Sequence, residues 1–435
     1  MTSFDRRRFL SATSAGFVAL AGSGCMTRPP TSAAPAGYGP LVPDPAALLD
    51  LPVGFAYRVL SSLGEAMSDG GRVPDAADGM GCFALPGGKL ALVRNHELRV
   101  GKDSGEATGL AYDSSAAGAI LPGGTTTLVL DARTLTLERQ FRTLSGTIRN
   151  CAGGITPWGS WLTCEEDTTR AGASVGRDHG WVFEVPAAAT GPVDPVPLTA
   201  MGRFNHEAAC VDPASGIVYL TEDREDSLLY RFLPAQPGRL AAGGKLQAWA
   251  CDGLPDSRNW SGAALASGAW TGGRWVDLDR PESPADDLRK RGAALGATLF
   301  ARGEGIWMGA GELYFACTSG GAARLGQIFR LRPGRTDRLQ LFYESTDIGQ
   351  FNYGDNLLVA PDGQLVVCED AYSATVDNHL RGITRDGRAY PLARVRIQTE
   401  PAGACFSPDG RVLFVNLYSP AKTLAISGPW VHLPG

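Results

Sequence analysis

A short apolar strand that starts after a Gly/Pro turn and ends on a thiol or carboxylates restricts this chain more than any other feature. It is clearest in Asn150-Cys151-Ala152-Gly153-Gly154-Ile155-Thr156-Pro157-Trp158-Gly159-Ser160-Trp161-Leu162-Thr163-Cys164-Glu165-Glu166-Asp167. The design recurs. Ala91-Leu92-Val93-Arg94 runs into Asn95-His96-Glu97, Ile217-Val218-Tyr219-Leu220 into Thr221-Glu222-Asp223, and Leu313-Tyr314-Phe315-Ala316 into Cys317-Thr318. Leu365-Val366-Val367 runs into Cys368-Glu369-Asp370, and Val412-Leu413-Phe414-Val415 into Asn416-Leu417-Tyr418. Apolar runs this short, bounded by Gly, Pro and Asp, predict strands rather than helices. Most are followed by a second strand candidate, such as Gly180-Trp181-Val182-Phe183-Glu184-Val185. Six such units at uneven spacing predict an all-β fold, a six-bladed β-propeller with loop insertions and an axial metal site. A long β-sandwich is the competing arrangement. Helical signal is scarce, with residues 284–293 the best candidate, placed in an insertion. The 56 glycines, 29 prolines and only 20% charged residues suit many short strands better than a helical bundle.

The metal site follows from propeller geometry. Innermost strands converge on the axis, so polar groups at equivalent strand ends meet although they are far apart in sequence. One acidic pair after a strand merely caps a turn. His96-Glu97, Glu165-Glu166, His206-Glu207 and Glu369-Asp370 together predict a coordination shell. Only five histidines are present, and two lie in Asn-His-Glu, which is no zinc-helix signature. There the Glu is the better ligand and the His a hydrogen bonder. An oxygen-rich, histidine-poor site favours calcium, or ferric iron if a thiolate joins. Cys151, beside glycines that allow close approach, is the candidate thiolate, with Cys164 as runner-up. For cysteines inside apolar strands, such as Cys317 and Cys368, burial as a small hydrophobe is expected, against the disulfides an oxidising compartment favours. In Ala301-Arg302-Gly303-Glu304-Gly305, Arg302 is well placed to hold a phosphate oxygen against a metal, a surface ion pair being the bland reading. Asp69, Asp75 and Asp78, in a Gly-rich segment, could bind calcium or make turns, and turns are the better reading.

The net charge of -5 argues against nucleic acid as the main partner. The chain has no Gly-x-Ser-x-Gly elbow and no Walker loop, which disfavours a serine hydrolase or a nucleotide-driven enzyme. Asp5-Arg6-Arg7-Arg8-Phe9-Leu10 and the small apolar residues after it have the pattern of a twin-arginine export signal over residues 1–25. That implies the twin-arginine machinery as a partner and a periplasmic or extracellular location. Cleavage after Ala21 and a lipid anchor on Cys25 are both open. Residues 26–45 are expected to be a linker and 46–435 a single, monomeric propeller domain.

Asn150-Cys-Ala-Gly-Gly-Ile-Thr-Pro-Trp-Gly-Ser-Trp-Leu-Thr-Cys-Glu-Glu, Gly202-Arg-Phe-Asn-His-Glu, Arg302-Gly-Glu-Gly, Gly354-Asp-Asn-Leu, Leu365-Val-Val-Cys-Glu-Asp and Ala402-Gly-Ala-Cys-Phe-Ser-Pro-Asp-Gly resemble the PhoX family of bacterial alkaline phosphatases. The resemblance spans nearly the whole chain after the export signal. It implies hydrolysis of phosphate monoesters by a metal-bridging oxygen or hydroxide, at an axial site holding Fe3+ and Ca2+. Carried over by motif, Cys151, Glu207 and Glu304 look like iron ligands and Arg302 like the phosphate clamp. Glu165, Glu166, Glu369 and Asp370 look like calcium or shared ligands. Two other readings of the residues stay open here: a calcium-dependent propeller esterase or lactonase, and a non-catalytic calcium-binding envelope protein.

Overall fold

In the computed structural model, residues 36–430 are described. The export signal, Cys25, residues 26–35 of the expected linker and His432 lie outside the described residues. The chain is all-β and propeller-like, with a single seven-residue α-helix, Leu288–Ala294, among the described residues. That helix falls where the sequence places its helical signal.

Six strands line the middle: Ala77–Leu85, Asn150–Ile155, His206–Val211, Gly303–Gly309, Gly354–Val359 and Pro401–Phe406. Each packs against the next in chain order and the last against the first, which closes a ring. Each also pairs outward with the strand that the sequence singles out for its polar end, respectively Lys89–His96, Ser160–Glu165, Val218–Glu222, Glu312–Cys317, Leu365–Glu369 and Val412–Leu417. These outer partners are apolar runs buried between neighbouring sheets; Leu92, Leu162, Leu220, Phe315, Val367 and Phe414 are 0–1% exposed. Burying each such side chain contributes about 1.5–3 kcal/mol, which makes them the stable frame on which the ring is carried.

The six expected blades are corrected to five hydrogen-bonded sheets, of six, three, nine, four and four strands. The cause is Trp270–Asp277, which pairs with Gly244–Cys251 on one side and Arg338–Glu344 on the other, fusing two units into one nine-stranded sheet. Closure joins the two ends of the chain: Ala56–Ser62 completes the sheet of Pro401–Phe406, Val412–Leu417 and Lys422–Ser427. Residues 41–45, expected to lie in a linker, pair and hydrogen-bond with the folded chain. Leu41–Val42 pairs with Leu49–Pro52, and the Asp44 carboxylate accepts hydrogen bonds from the Leu48 and Leu49 amides and the Tyr57 hydroxyl. The eight cysteines among the described residues are all buried and unpaired.

Candidate metal centre

Every inner strand carries a β-bulge near its start, between its first residue and its fourth in five strands and one residue later in the last: Ala77/Met80, Asn150/Gly153, His206/Ala209, Gly303/Ile306, Gly354/Leu357 and Ala402/Cys405 by register. A bulge re-aims a side chain that regular pleating would turn into the sheet. The residues so placed are Asp78, Cys151, Glu207, Glu304 and Asp355, with Gly403 in the last strand. Small neighbours let the strands approach: a Cβ on Gly305 would lie 2.5 Å from the Leu357 amide nitrogen, and one on Gly403 2.1 Å from the Asp78 carbonyl oxygen.

A second tier comes from the residue that follows each outer partner strand. Its amide donates to the carbonyl of the residue just before the inner strand: Glu97 to Ala76, Glu166 to Arg149, Asp223 to Asn205, Thr318 to Arg302, Asp370 to Tyr353 and Tyr418 to Glu400. This repeated clamp places Glu97, Glu166, Asp223 and Asp370 beside the ring. It also explains why the last residue of each partner strand faces elsewhere. Glu165 accepts from the Ile148, Gly180 and Trp181 amides and contacts His179 at 2.6 Å. Glu369 accepts from the Asn352 and His379 amides and from Arg381. With their oxygens held by these donors, Glu165 and Glu369 do not join the centre that the sequence assigned them to.

The groups that do meet form three overlapping sets, Asp78–Glu97–Cys151, Cys151–Glu166–Glu207 and Glu207–Glu304–Asp355, with ligand atoms in each set within 4.8 Å of one another. Cys151 Sγ lies 3.4 Å from Asp78 Oδ2 and from Glu207 Oε1. Burial, reinforced by Asp355 and Glu166, pushes Glu207 well above the usual carboxylate range. Burial and Asp370 push Asp355 up to about 7, and burial with Asp78 and Glu207 raises the Cys151 thiol. Negative groups packed this closely out of water call for a polyvalent counter-ion. The buried oxygens Asp355 Oδ1, Asp370 Oδ1 and Glu400 Oε2 have no hydrogen-bond partner. One thiol among carboxylates, with oxygens to spare, is a donor set suited to ferric iron and calcium.

The surrounding polar residues hold this geometry. Asn95 Nδ2 donates to the carbonyls of Cys151 and Ala152 at 2.9 and 2.8 Å, and Trp161 Nε1 donates to Asn95 Oδ1 at 2.9 Å. His96 bonds the Asp75 carbonyl and Thr126, and His206 the Gly202 carbonyl, so both are hydrogen bonders, as their motif suggested. Cys164 lies in the apolar core and joins none of the sets. Arg302 chelates Asp223 through Nε and Nη2, at 2.7 and 3.1 Å, and reaches Glu304 through Nη2 at 3.0 Å. Its Nη1 makes no hydrogen bond within the described residues. A cleft of about 410 Å³, bounded by Leu63, Arg72, Val73, Leu98, Arg99 and Lys102, opens beside Glu97 and Tyr418.

Arg149, Asp223, Asp355 and Glu400 were missed as site residues from the sequence, and Asp78 was set aside there as a turn former. A signal for the ring was present, because Asp78-Gly79, Cys151-Ala152, Glu207-Ala208, Glu304-Gly305 and Asp355-Asn356 each put the donor before a small or turn-prone residue.

A solved structure that is similar in fold is that of Pseudomonas fluorescens PhoX in complex with vanadate, at 20% identity and a TM-score of 0.71, covering 90% of this chain and 97% of that one. A gluconolactonase from Xanthomonas campestris is a looser likeness, at 14% identity and a TM-score of 0.42, covering 90% and 98% of the two chains. No curated protein matches. The sequence model of alkaline phosphatase PhoX matches residues 36–134 and 122–421, nearly all of the described chain, and the protein therefore belongs to the alkaline phosphatase PhoX family.

Proposed function

We propose that this centre carries out the family's reaction, hydrolysis of phosphate monoesters, with Fe3+ and Ca2+ bound by the ring and by Asp370 of its second tier. The observation that carries the reading is the joining of Cys151, Glu207, Glu304 and Asp355 in one buried cluster with a guanidinium that keeps a free edge. Bound ions supply the charge that neutralises the phosphate and a nucleophilic oxygen at neutral pH. Cys151, Glu207 and Glu304 hold the iron in this reading, and Asp78, Asp355 and Asp370 supply oxygens for calcium.

Arg302 orients the substrate. Asp223 and Glu304 fix its plane, and the free Nη1 is directed by that plane, so phosphate meets a donor whose position is set before binding. The similar Pseudomonas fluorescens protein was solved with vanadate, described there as a transition-state analogue, which supports phosphate-ester chemistry for this chain. Export through the twin-arginine machinery into the periplasm or beyond is part of the proposal, on the strength of the Arg6-Arg7-Arg8 start.

The test is Arg302→Ala. Loss of one preorganised donor to the transition state costs about 10²–10³ in turnover, so p-nitrophenyl phosphate hydrolysis falls by that factor while metal content stays at the wild-type level. A variant that loses its metals shows instead that Arg302 is structural.

A further inference from the structure

Arg149 occupies, in its own unit, the place that Arg302 occupies in another. Each residue immediately precedes an inner strand and has left-handed backbone, with φ of 48° and 52°. The Arg149 amide donates to the Leu98 carbonyl and the Arg302 amide to the Arg224 carbonyl, in each case two residues beyond the end of the preceding unit's partner strand. Each guanidinium then turns onto the acidic residue between: Arg149 onto Glu97, Arg302 onto Asp223.

The two differ in what they leave free. Arg302 keeps Nη1 open, and its side chain is 27% exposed. Arg149 engages all three nitrogens, Nε with Glu97, Nη1 with the Glu166 carbonyl and Nη2 with the Glu97 and Glu166 carboxylates, and its side chain is 16% exposed. The carboxylates are equally committed. Glu97 receives Arg149 on Oε1 and the Tyr418 hydroxyl on Oε2 at 2.6 Å, and Glu166 receives Arg149 on Oε2 and Asn205 on Oε1 at 2.9 Å. Across the ring the opposite holds, because Asp355, Asp370 and Glu400 each keep a buried oxygen without a partner, Glu400 being 8% exposed.

We propose that Arg149 is a built-in cation that replaces a divalent metal ion at the Glu97–Glu166 edge, so that metal loads on the ring and on the Asp355–Asp370–Glu400 side. The inference rests on the metal-dependent reading above. A guanidinium stays charged at any physiological pH, so this edge is neutralised whatever the supply of ions outside. Glu97 and Glu166, which the sequence marks as metal ligands, then hold a cation of the chain's own and preserve the shape of the Cys151 edge.

The experiment is metal analysis per chain on full-length protein loaded with Fe3+ and Ca2+. Glu97→Gln and Glu166→Gln keep the wild-type metal ratio, whereas Glu207→Gln lowers it. Arg149→Ala gains about one Ca2+ per chain, Arg149→Lys does not, and Arg149→Ala combined with Glu166→Gln loses the gained ion again. A lower ratio in Glu97→Gln or Glu166→Gln, or an unchanged ratio in folded Arg149→Ala, overturns the inference and leaves the metal-dependent reading intact. Wild-type protein that takes up no metal overturns both. If Arg149→Ala does not fold, the two glutamine variants decide the matter alone.

Discussion

Asn95→Leu tests how the fold aims its thiol. Asn95 is completely buried, and its amide ties the Cys151 and Ala152 carbonyls to Trp161 Nε1 by three hydrogen bonds of 2.8–2.9 Å. Leucine has the same branching and number of side-chain heavy atoms but bulkier methyl groups, so some crowding adds to the main effect, which is that two carbonyls and one indole N–H are left without these partners. Each buried group so orphaned costs about 1–3 kcal/mol. Allowing for local relaxation, the expected loss is about 3–6 kcal/mol, a large part of the ~5–15 kcal/mol by which a typical domain is stable. Urea denaturation of metal-free protein measures it as a lower midpoint. Asn95→Asp should cost as much despite its matching shape, because a carboxylate cannot donate to the two carbonyls. In loaded protein both variants should also lose visible absorption from thiolate-bound iron, since the Cys151 bulge is no longer anchored. A loss below about 1 kcal/mol with unchanged absorption would refute the claim that Asn95 positions Cys151.

Gly305→Ala forces a Cβ to within 2.5 Å of the Leu357 nitrogen and 2.7 Å of the Asp355 carbonyl, backbone atoms that cannot swing away. It should cost about 1–3 kcal/mol or more and lower the melting temperature. Gly191→Ala, which meets nothing within 4 Å, should not. Burial holds His206 down to about 3, so the folded chain keeps this ring neutral while the unfolded chain takes up a proton below about 6.5. His206 therefore contributes stability that is complete above the unfolded value and is lost as pH falls towards 3. At about 1.4 kcal/mol per unit, that is ~3 kcal/mol between pH 6.5 and pH 4. Denaturation of metal-free His206→Gln across this range should show the acid loss reduced by that amount.

The partner strands were legible because each is an apolar run that stops at a polar end, as in Ser160–Glu165 and Leu365–Glu369. That pattern needs only burial on both faces to be read. The inner strands were harder. The bulge that aims Asp78 or Asp355 also surrounds it with glycine or asparagine, so Asp78-Gly79 looks like a turn although it sits on the axis. Acidic pairs such as Glu165-Glu166 and Glu369-Asp370 show that a donor is near, but which member faces the centre depends on where the partner strand ends. The clamp from the Glu166 amide to the Arg149 carbonyl decides that, and it joins residues 17 positions apart. Arg149 went unread because its role exists only once Glu97 and Glu166, from different strands, are brought to it. The fused nine-stranded sheet hinges on Trp270–Asp277 pairing on both sides, which no local pattern announces.

Everything above turns on a thiolate-containing metal centre that hydrolyses phosphate esters. Metal analysis and a visible spectrum on protein exported from a native-like host, with p-nitrophenyl phosphate hydrolysis measured with and without added calcium, test it most directly. The expected result is iron in the protein, visible absorption that disappears in Cys151→Ser, and calcium-dependent turnover. Fully loaded protein that is iron-free, colourless and inactive on phosphate esters would contradict it.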